Sequence, residues 1–293
     1  MTQSCVKSKL DSVEWASWNH PACPTNIFER NIMMINQTTV TDFQPHRIQT
    51  RPSRVGAWDA PTMTEERLPF SVRLVRNEND LQKAVHIRHA AYARHLPEFA
   101  QTLKTPETAD AEKGVVVLLA ESKLDGSPLG TMRIQTNEFR PLCLEQSVAL
   151  PTWLKSLRLA EATRLGVTDE KGGRLVTTML FKAYYEYCKQ IGTEWMVIAG
   201  RSPIDKQYAR LLFEDVFPGV GYIPLVHAGN LPHRIMSSNV DTAEERWAAA
   251  RHPLFNFAFR TQHPDLQLGA PRQARVPTMV APKFPLQGAT LPM

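Results

Sequence analysis

The sequence lacks the short motifs of several common site types. Its four cysteines, Cys5, Cys23, Cys143 and Cys188, form no C-x-x-C pair, so neither a zinc site nor a disulfide framework is indicated and we expect reduced thiols. G-x-S-x-G and H-E-x-x-H are missing, which argues against a serine hydrolase and a zinc peptidase. The dinucleotide fingerprint and the P-loop motif are missing as well.

Long apolar runs and runs of like charge are also missing. The longest clean apolar run covers 115–120, far too short for a membrane span, and the first fifteen residues lack the apolar segment of a secretory signal. We therefore expect a cytoplasmic protein with no integral membrane segment. The net charge is +5, but basic and acidic residues are interleaved, which favours an anionic substrate or an acidic partner protein over nucleic acid.

Composition divides the chain into three parts. With 43% hydrophobic and 22% charged residues, the whole is ordinary globular material. Residues 1–68 are rich in polar residues and proline and show no sustained period, which predicts an irregular N-terminal extension. Residues 69–262 form the predicted domain. Residues 263–293 carry prolines at a spacing that forbids helix and central strand, which predicts an extended or disordered tail.

Periodicity within the domain predicts an α/β (α+β) fold, a mixed sheet with helices on its faces. The predicted elements, in order, are a strand over 70–75, a helix over 77–96, a hairpin of strands over 114–121 and 129–136, a strand and a long helix within 157–191, a strand over 194–199, a helix over 203–216, a strand over 222–226, a helix over 241–251 and a strand over 254–260.

The segment 157–191 organises the domain. In a regular strand, Glu161 shares a face with Thr163, Leu165 and Val167, while Arg164 faces the other way. A carboxyl group among apolar neighbours has a raised pKa, which suits proton abstraction near neutral pH. The alternative is a structural ion pair between Glu161 and a nearby arginine. The strand alone leaves both interpretations open.

The turn over 168–174 leads directly from this strand into the long helix. Backbone N–H groups of the first helical turn have no intrahelical partner and lie beside cations, so the turn is a candidate anion-binding site. Its residues are Lys171, Gly172, Gly173 and Arg174. A plain turn is the alternative for a lone Gly-Gly pair.

Two arginines from other elements accompany Glu161. Arg88 falls on the apolar stripe of the first helix, where it must either extend to the helix edge, which we favour, or meet a buried anion. Arg133 shares a strand face with Thr131 and Gln135. The acidic stretch Glu107, Asp110 and Glu112 is interpreted as a solvated loop.

Three motifs in order resemble the GNAT acyltransferase fold, and within it the autoinducer-synthase branch, which includes acyl-homoserine lactone synthases and N-acyl amino acid synthases. They are Ile87-Arg88 to Tyr92, the strand Leu129 to Thr136, and Glu161-Ala162-Thr163-Arg164-Leu165-Gly166-Val167, which is similar to that branch's Glu-x-Ser-Arg-aromatic-x-Val signature. The resemblance covers about 70–230 and implies a mostly antiparallel central sheet with helices on both faces.

The resemblance implies acyl transfer from a thioester to a primary amine. Glu161 and Arg164 are the candidate catalytic residues, with Glu161 as the base, and a backbone N–H near Val167 would stabilise the oxyanion. The donor's phosphate would rest on Lys171 to Arg174, whereas Arg88, Arg133, Arg164 and Asp110 would bind the acceptor. Thr163 replaces the usual serine and Leu165 the aromatic.

The expected co-substrate is acyl-CoA or acyl carrier protein, with a small-molecule amine as acceptor and with no permanently bound cofactor or metal. The basic surface favours the carrier protein, because such proteins are acidic. Two alternatives remain. One is an acyl-homoserine lactone synthase, disfavoured because the acidic pair of that class is reduced to Asp110 with Glu107 and Glu112 nearby. The other is a catalytically inactive module that binds an acyl thioester or a partner.

Overall fold

The structure is a computed structural model that describes residues 63–169 and 172–269. Most of the predicted N-terminal extension and C-terminal tail, together with Cys5, Cys23 and Lys171, therefore lie outside the described residues. The described strands are β1 (Thr64–Glu65), β2 (Phe70–Leu74), β3 (Val115–Ser122), β4 (Pro128–Thr136), β5 (Leu159–Val167), β6 (Trp195–Gly200), β7 (Glu214–Asp215), β8 (Ile223–Leu225), β9 (Leu231–Asn239), β10 (Thr261–Gln262) and β11 (Leu266–Gln267).

Helices alternate with these strands. The described helices are α1 (Glu78–Ala93), α2 (Pro97–Gln101), α3 (Thr152–Lys155), α4 (Gly173–Ile191), α5 (Ile204–Arg210), α6 (Ala243–Ala249) and α7 (Phe255–Phe259). Short 3-10 turns cover Thr108–Ala111, Cys143–Gln146 and Val226–Ala228. No described helix is both long and apolar enough to cross a membrane.

One large sheet has the strand order β11-β2-β3-β4-β5-β6-β9-β7, with β8 added on β9. Its pairs are antiparallel apart from β11 with β2 and β5 with β6. The predicted mixed, mostly antiparallel sheet is confirmed.

Helices α1 and α4 cover opposite faces of this sheet. On β3, Val117 and Leu119 pack with Ala84 of α1, while Leu118 and Ala120 belong to the core that also contains Val176 and Leu180 of α4. Successive strand residues face opposite sides, so the two helices must lie on different faces. The helices predicted on both faces are confirmed.

The ends of both helices follow from local chemistry. The side chain of Asn77 caps α1 by accepting the N–H of Asp80 at 2.9 Å. Gly192 ends α4 with a left-handed φ of 73°, as glycine at this position predicts. These two helices are therefore well specified by sequence.

Several elements differ from the prediction. Residues 255–259 form α7 and not a strand: Phe255 contacts Phe259 one helical turn away, while Phe257 packs against the core. The predicted helix over 203–216 ends at Arg210. Strand β9, which pairs with β6, was not predicted. The segment 263–269 contains β11 on the sheet edge, so the part of the predicted tail that the structure describes is packed.

Strands β5 and β6 pair over only part of their length. Their parallel register joins Leu159–Ala162 to Trp195–Ile198 and stops there. Beyond Ala162, β5 pairs only with β4, through Thr163, Gly166 and Val167. Beyond Ala162 the β6 side of β5 therefore has no paired strand among the described residues, and we call this unpaired edge the opening.

Candidate active site

Glu161 lies just before this opening and is fully buried. Its Oε2 accepts the backbone N–H of Leu144 at 3.2 Å, and its Oε1 has no hydrogen-bond partner among the described residues. Burial raises the pKa of Glu161 to about 7, against the lowering effect of the Leu144 and Cys143 amides and of two arginines. A carboxyl group in this state exchanges a proton near neutral pH.

His227 faces the free oxygen of Glu161. Its ring comes from the 3-10 turn between β8 and β9, and its Nε2 lies 3.7 Å from Oε1 of Glu161. Burial lowers the pKa of His227 to about 4, with Arg164 adding to the effect, so the ring is neutral at pH 7. Sequence reasoning missed this residue, because a single histidine between Val226 and Ala228 carries no local pattern.

The guanidinium groups of the site are held by two acids. Arg88 donates two hydrogen bonds of 2.9 Å to the carboxylate of Asp110 and one of 3.2 Å to Glu107. Arg133 donates to Glu107 at 3.1 Å, to Asp110 at 3.4 Å and to the hydroxyl of Thr163 at 3.1 Å. Since Arg88 and Arg133 are almost fully buried, they form an internal network.

Arg164 joins the same network from β5. Its Nε and Nη2 donate to the two oxygens of Glu107 at 2.7 and 2.6 Å, and Nη2 also donates to the backbone carbonyl of His227 at 3.0 Å. Phe99 of α2 lies against the guanidinium, 5.4 Å from ring centre to Cζ. Arg164 thus connects the acids to the turn that carries His227.

The position of Arg164 corrects the predicted strand pattern. Arg164 has a φ of 55°, and the register between β4 and β5 shifts there, which marks a β-bulge. The extra residue reverses the alternation, so Arg164 lies on the face of Glu161 and Thr163, whereas Leu165 and Val167 pack into the core beneath α4. The prediction that Arg164 faces away from Glu161 is therefore wrong.

The acidic stretch is also not the predicted solvated loop. Asp110 is almost fully buried, and its Oδ2 accepts the N–H of Glu107, which closes the 3-10 turn. Burial alone would raise the pKa of both carboxyl groups, but the arginines outweigh it and hold both pKa values below the ordinary range. The favoured placement of Arg88 at the helix edge is wrong for the same reason: it meets a buried anion.

The predicted donor site lies at the junction of β5 and α4. The carbonyl of Val167 accepts a hydrogen bond of 2.5 Å from Arg94, Gly172 caps α4, and Arg174 is exposed. A Cβ on Gly173 would lie 2.3 Å from the carbonyl oxygen of Thr168, so the close turn requires glycine there. The first turn of α4 thus lies against Thr168, directly after the end of β5.

A second buried ionic group lies on the other face of the sheet. Lys182 of α4 borders an apolar cavity of about 50 Å³ and donates to the carbonyls of Phe257 and Thr261 at 2.9 and 2.5 Å. Its Nζ also lies 2.9 Å from Nδ1 of His263. Within the described residues, no cluster of histidine, cysteine and acidic side chains is arranged for a metal ion.

No protein-family model and no curated protein matches the chain. Solved structures similar to it include FeeM, an N-acyl amino acid synthase from uncultured soil microbes, at 18% identity and a TM-score of 0.48, covering 62% of this chain and 96% of that one. They also include BjaI, a CoA-dependent acyl-homoserine lactone synthase solved with SAM and isopentyl-CoA, at 15% identity and a TM-score of 0.43, covering 66% and 93%.

A probable acetyltransferase from Staphylococcus epidermidis is a further match, at 17% identity and a TM-score of 0.39, covering 58% of this chain and 98% of that one. The first two are the kinds of enzyme to which the sequence motifs point. Because all three identities lie below 25% and all three TM-scores below 0.5, the proposed activity rests on the chemistry of the site and not on these likenesses.

Proposed function

We propose that the protein is an N-acyltransferase that moves an acyl group from a thioester to the amine of an amino acid or a related small molecule. The observation that carries the proposal is the buried Glu161 carboxyl group, which has one oxygen without a hydrogen-bond partner among the described residues and lies at the point where the pairing of β5 with β6 ends. A proton acceptor next to an open strand edge is what attack by an amine on a bound thioester needs.

The opening suits the donor. The pantetheine arm of CoA or of an acyl carrier protein is an extended chain with amide groups, which can pair with the backbone of β5 where β6 no longer does. The arm's phosphate would lie at the N-terminus of α4, on the amides of Gly172 to Arg174, with Lys171 nearby in sequence. The net charge of +5 suits either donor, since CoA and carrier proteins are both acidic.

Glu161 supplies the base. It takes a proton from the acceptor's ammonium group, and the freed nitrogen attacks the thioester carbonyl carbon. A C–N bond forms, the C–S bond breaks as the tetrahedral intermediate collapses, and a proton from nitrogen ends on the departing thiolate. Backbone N–H groups on the open edge of β5 near Val167 would stabilise the oxyanion.

The charge of the network bears on the acceptor. Among the described residues, the three guanidinium groups of Arg88, Arg133 and Arg164 make ion pairs with two carboxylates, those of Glu107 and Asp110. While Glu161 is protonated the surplus is positive, which favours an acceptor that carries a carboxylate over the cationic precursor of a homoserine lactone. We therefore place an amino acid first and acyl-homoserine lactone synthesis second.

This arrangement also refines the predicted acceptor contacts. Arg88, Arg133 and Asp110 donate and accept mainly within the network, so we assign them to holding Glu107 and Arg164 in place. Nη1 of Arg164 makes no hydrogen bond to a described residue, and Glu107 is 22% exposed. These two side chains are the proposed contacts for the acceptor's carboxylate and amine.

The substitution Glu161→Gln tests the function. We expect acyl transfer to fall about 100- to 10,000-fold while donor binding survives, because the amide keeps the shape of the carboxyl group but accepts no proton. Glu186→Gln is the matched control: it also removes a carboxyl group whose pKa burial raises, on α4 far from the opening, and it should leave transfer unchanged.

Mass spectrometry of lipid extracts from cells that express each variant identifies the acyl chain and the acceptor together. An acylated amine formed by the wild type and by Glu186→Gln, but not by Glu161→Gln, supports the proposal. Equal amounts in all three remove Glu161 from the mechanism. No acylated amine from any of them, together with binding of an acyl thioester, favours the inactive binding module.

A further inference from the structure

The contact between Glu161 and His227 joins two buried side chains that are each left with an unpartnered atom. Oε1 of Glu161 and Nδ1 of His227 make no hydrogen bond within the described residues. We propose that His227 is a positioning residue for Glu161: its neutral ring donates from Nε2 to Oε1 and so sets the pH at which Glu161 becomes a base. The link to catalysis rests on the function proposed above, whereas the pairing itself does not.

The turn that carries His227 is fixed on three sides. The N–H of Val226 donates to Oγ of Ser147 at 2.8 Å, and Ala228 belongs to the same apolar cluster as Leu144, whose N–H holds Oε2 of Glu161. The carbonyl of His227 accepts Nη2 of Arg164. The ring is therefore held at Glu161 by the elements that also hold the carboxylate.

The position of the ring proton follows from its neighbours. Nδ1 has no hydrogen-bond partner among the described residues, whereas Nε2 faces Oε1 of Glu161, and an ionised carboxylate oxygen can only accept. In the proposed pairing the ring proton is therefore on Nε2. The gap of 3.7 Å exceeds a usual hydrogen bond by about 0.7 Å, and such contacts commonly shorten when a substrate binds.

The charged groups around the pair keep the ring neutral. Arg133 and Arg164 act on both side chains, His233 lies near His227, and Cys143 lies near Glu161. The two guanidinium groups disfavour protonation of the His227 ring, so His227 serves as a neutral hydrogen-bond donor and does not take up a proton. A donor on the ionised carboxylate lowers its pKa, against the burial that raises it.

Replacement of His227 by leucine removes the donor and keeps the burial. The pKa of Glu161 should rise, and the acid limb of the pH profile of kcat/KM should move about one pH unit higher. His227→Gln keeps an N–H donor, so its acid limb should stay close to that of the wild type. This variant also controls for loss of packing. His233→Leu removes another buried histidine, whose Nδ1 contacts the carbonyl of Leu231 instead of Glu161, and should leave the limb unchanged.

A second measurement does not depend on turnover. The side-chain carboxyl carbons of glutamate are labelled with 13C, the Glu161 signal is identified by its loss in Glu161→Gln, and its titration is followed by NMR in each variant. A midpoint that rises in His227→Leu and is restored in His227→Gln supports the pairing. Equal midpoints in the wild type and His227→Leu overturn it, even where acyl transfer is established. A shifted midpoint without any acyl transfer leaves the pairing intact and counts against the proposed function.

Discussion

The two faces of the sheet each bury an ionisable side chain next to a histidine. Under α4, the ammonium of Lys182 meets the carbonyls of Phe257 and Thr261 and Nδ1 of His263, so each of its three protons has an acceptor. Under α1, one oxygen of the Glu161 carboxylate accepts the backbone N–H of Leu144, and His227 lies 3.7 Å from the other, which has no hydrogen-bond partner among the described residues.

The difference separates structural burial from burial that serves chemistry. A buried charge whose hydrogen bonds are all made is tolerated by the fold, whereas a buried polar atom without a partner adds an uncompensated cost in free energy. Nε2 of His263 also has no hydrogen-bond partner among the described residues, but the carboxylate that lies 3.7 Å from it, that of Glu66, is more than half exposed, whereas Glu161 is fully buried. On the α1 face, by contrast, an acid with an oxygen that has no partner among the described residues lies next to the unpaired half of β5.

Lys182→Met should give the largest effect on stability. It leaves the carbonyls of Phe257 and Thr261 unpaired, and we expect the free energy of unfolding to fall by about 4 kcal/mol with acyl transfer nearly unchanged. Urea unfolding measures the loss, and hydrogen exchange should increase over 255–269. Should the folded variant lose transfer as severely as Glu161→Gln, the α4 face would belong to the site and the comparison would fail.

Much of this fold could be predicted from sequence, because its central elements carry strong periods. The helix from Asn77, the hairpin of β3 and β4, and the strand and helix over 157–191 all lie where the pattern indicates. Strand β9 was not predicted, because its buried stretch includes Ser237 and Ser238 and therefore shows no alternation of apolar and polar residues. Its place is decided by pairing with β6, which is a non-local interaction.

The site was harder to predict, since its geometry depends on distant partners. The sequence identified Glu161 and its burial, but the bulge at Arg164 arises from the register with β4 and is not visible in β5 alone. Arg88 gave no sign of its partner, because Asp110 lies in a loop that only the fold brings to it. His227 comes from a turn 66 positions after Glu161 and meets it only in three dimensions.

The pH dependence of the free energy of unfolding should give the second-largest effect, and it reports on Glu161 of the α1 face. The folded pKa of Glu161 is about 7 against an ordinary 4.5, so the fold favours the protonated form. The resulting destabilisation is absent below about pH 4.5, grows as the pH rises to 7 and then stays constant, at about 3 kcal/mol. Relative to the wild type, Glu161→Gln should therefore gain about that much stability between these pH values.

Urea titrations of the wild type and Glu161→Gln at several pH values give the difference between their free energies of unfolding directly. The contributions of other titrating groups to this difference largely cancel. His227, whose pKa is lowered, loses stability as the pH falls from about 6.5 toward 4, which is the opposite trend and is present in both proteins. A difference that does not change with pH would mean that Glu161 titrates normally. It would then lack the property on which its role as a base depends.

Two glycines, one on each face, offer the most specific test, with the smallest expected effects. A Cβ on Gly130 would lie 2.6 Å from Cγ1 of Val176 in α4, and a Cβ on Gly166 would lie 3.1 Å from Cα of Arg88 in α1. Each alanine substitution should cost about 1–2 kcal/mol through overpacking, because Gly130→Ala must push aside the side chain of Val176 and Gly166→Ala must push the backbone of α1 at Arg88. The two losses of stability should thus be similar.

Their effects on acyl transfer should differ. Gly166→Ala displaces the helix that holds Arg88 and should lower kcat several-fold, since the network next to Glu161 shifts with it. Gly130→Ala displaces α4, whose first turn is the proposed phosphate site, and should raise KM for the thioester donor with kcat little changed. Steady-state kinetics with a varied donor separates the two effects. A loss of kcat in Gly130→Ala that equals the loss in Gly166→Ala would show that the two faces are not independent, and the division between a structural and a chemical side of the sheet would have to be abandoned.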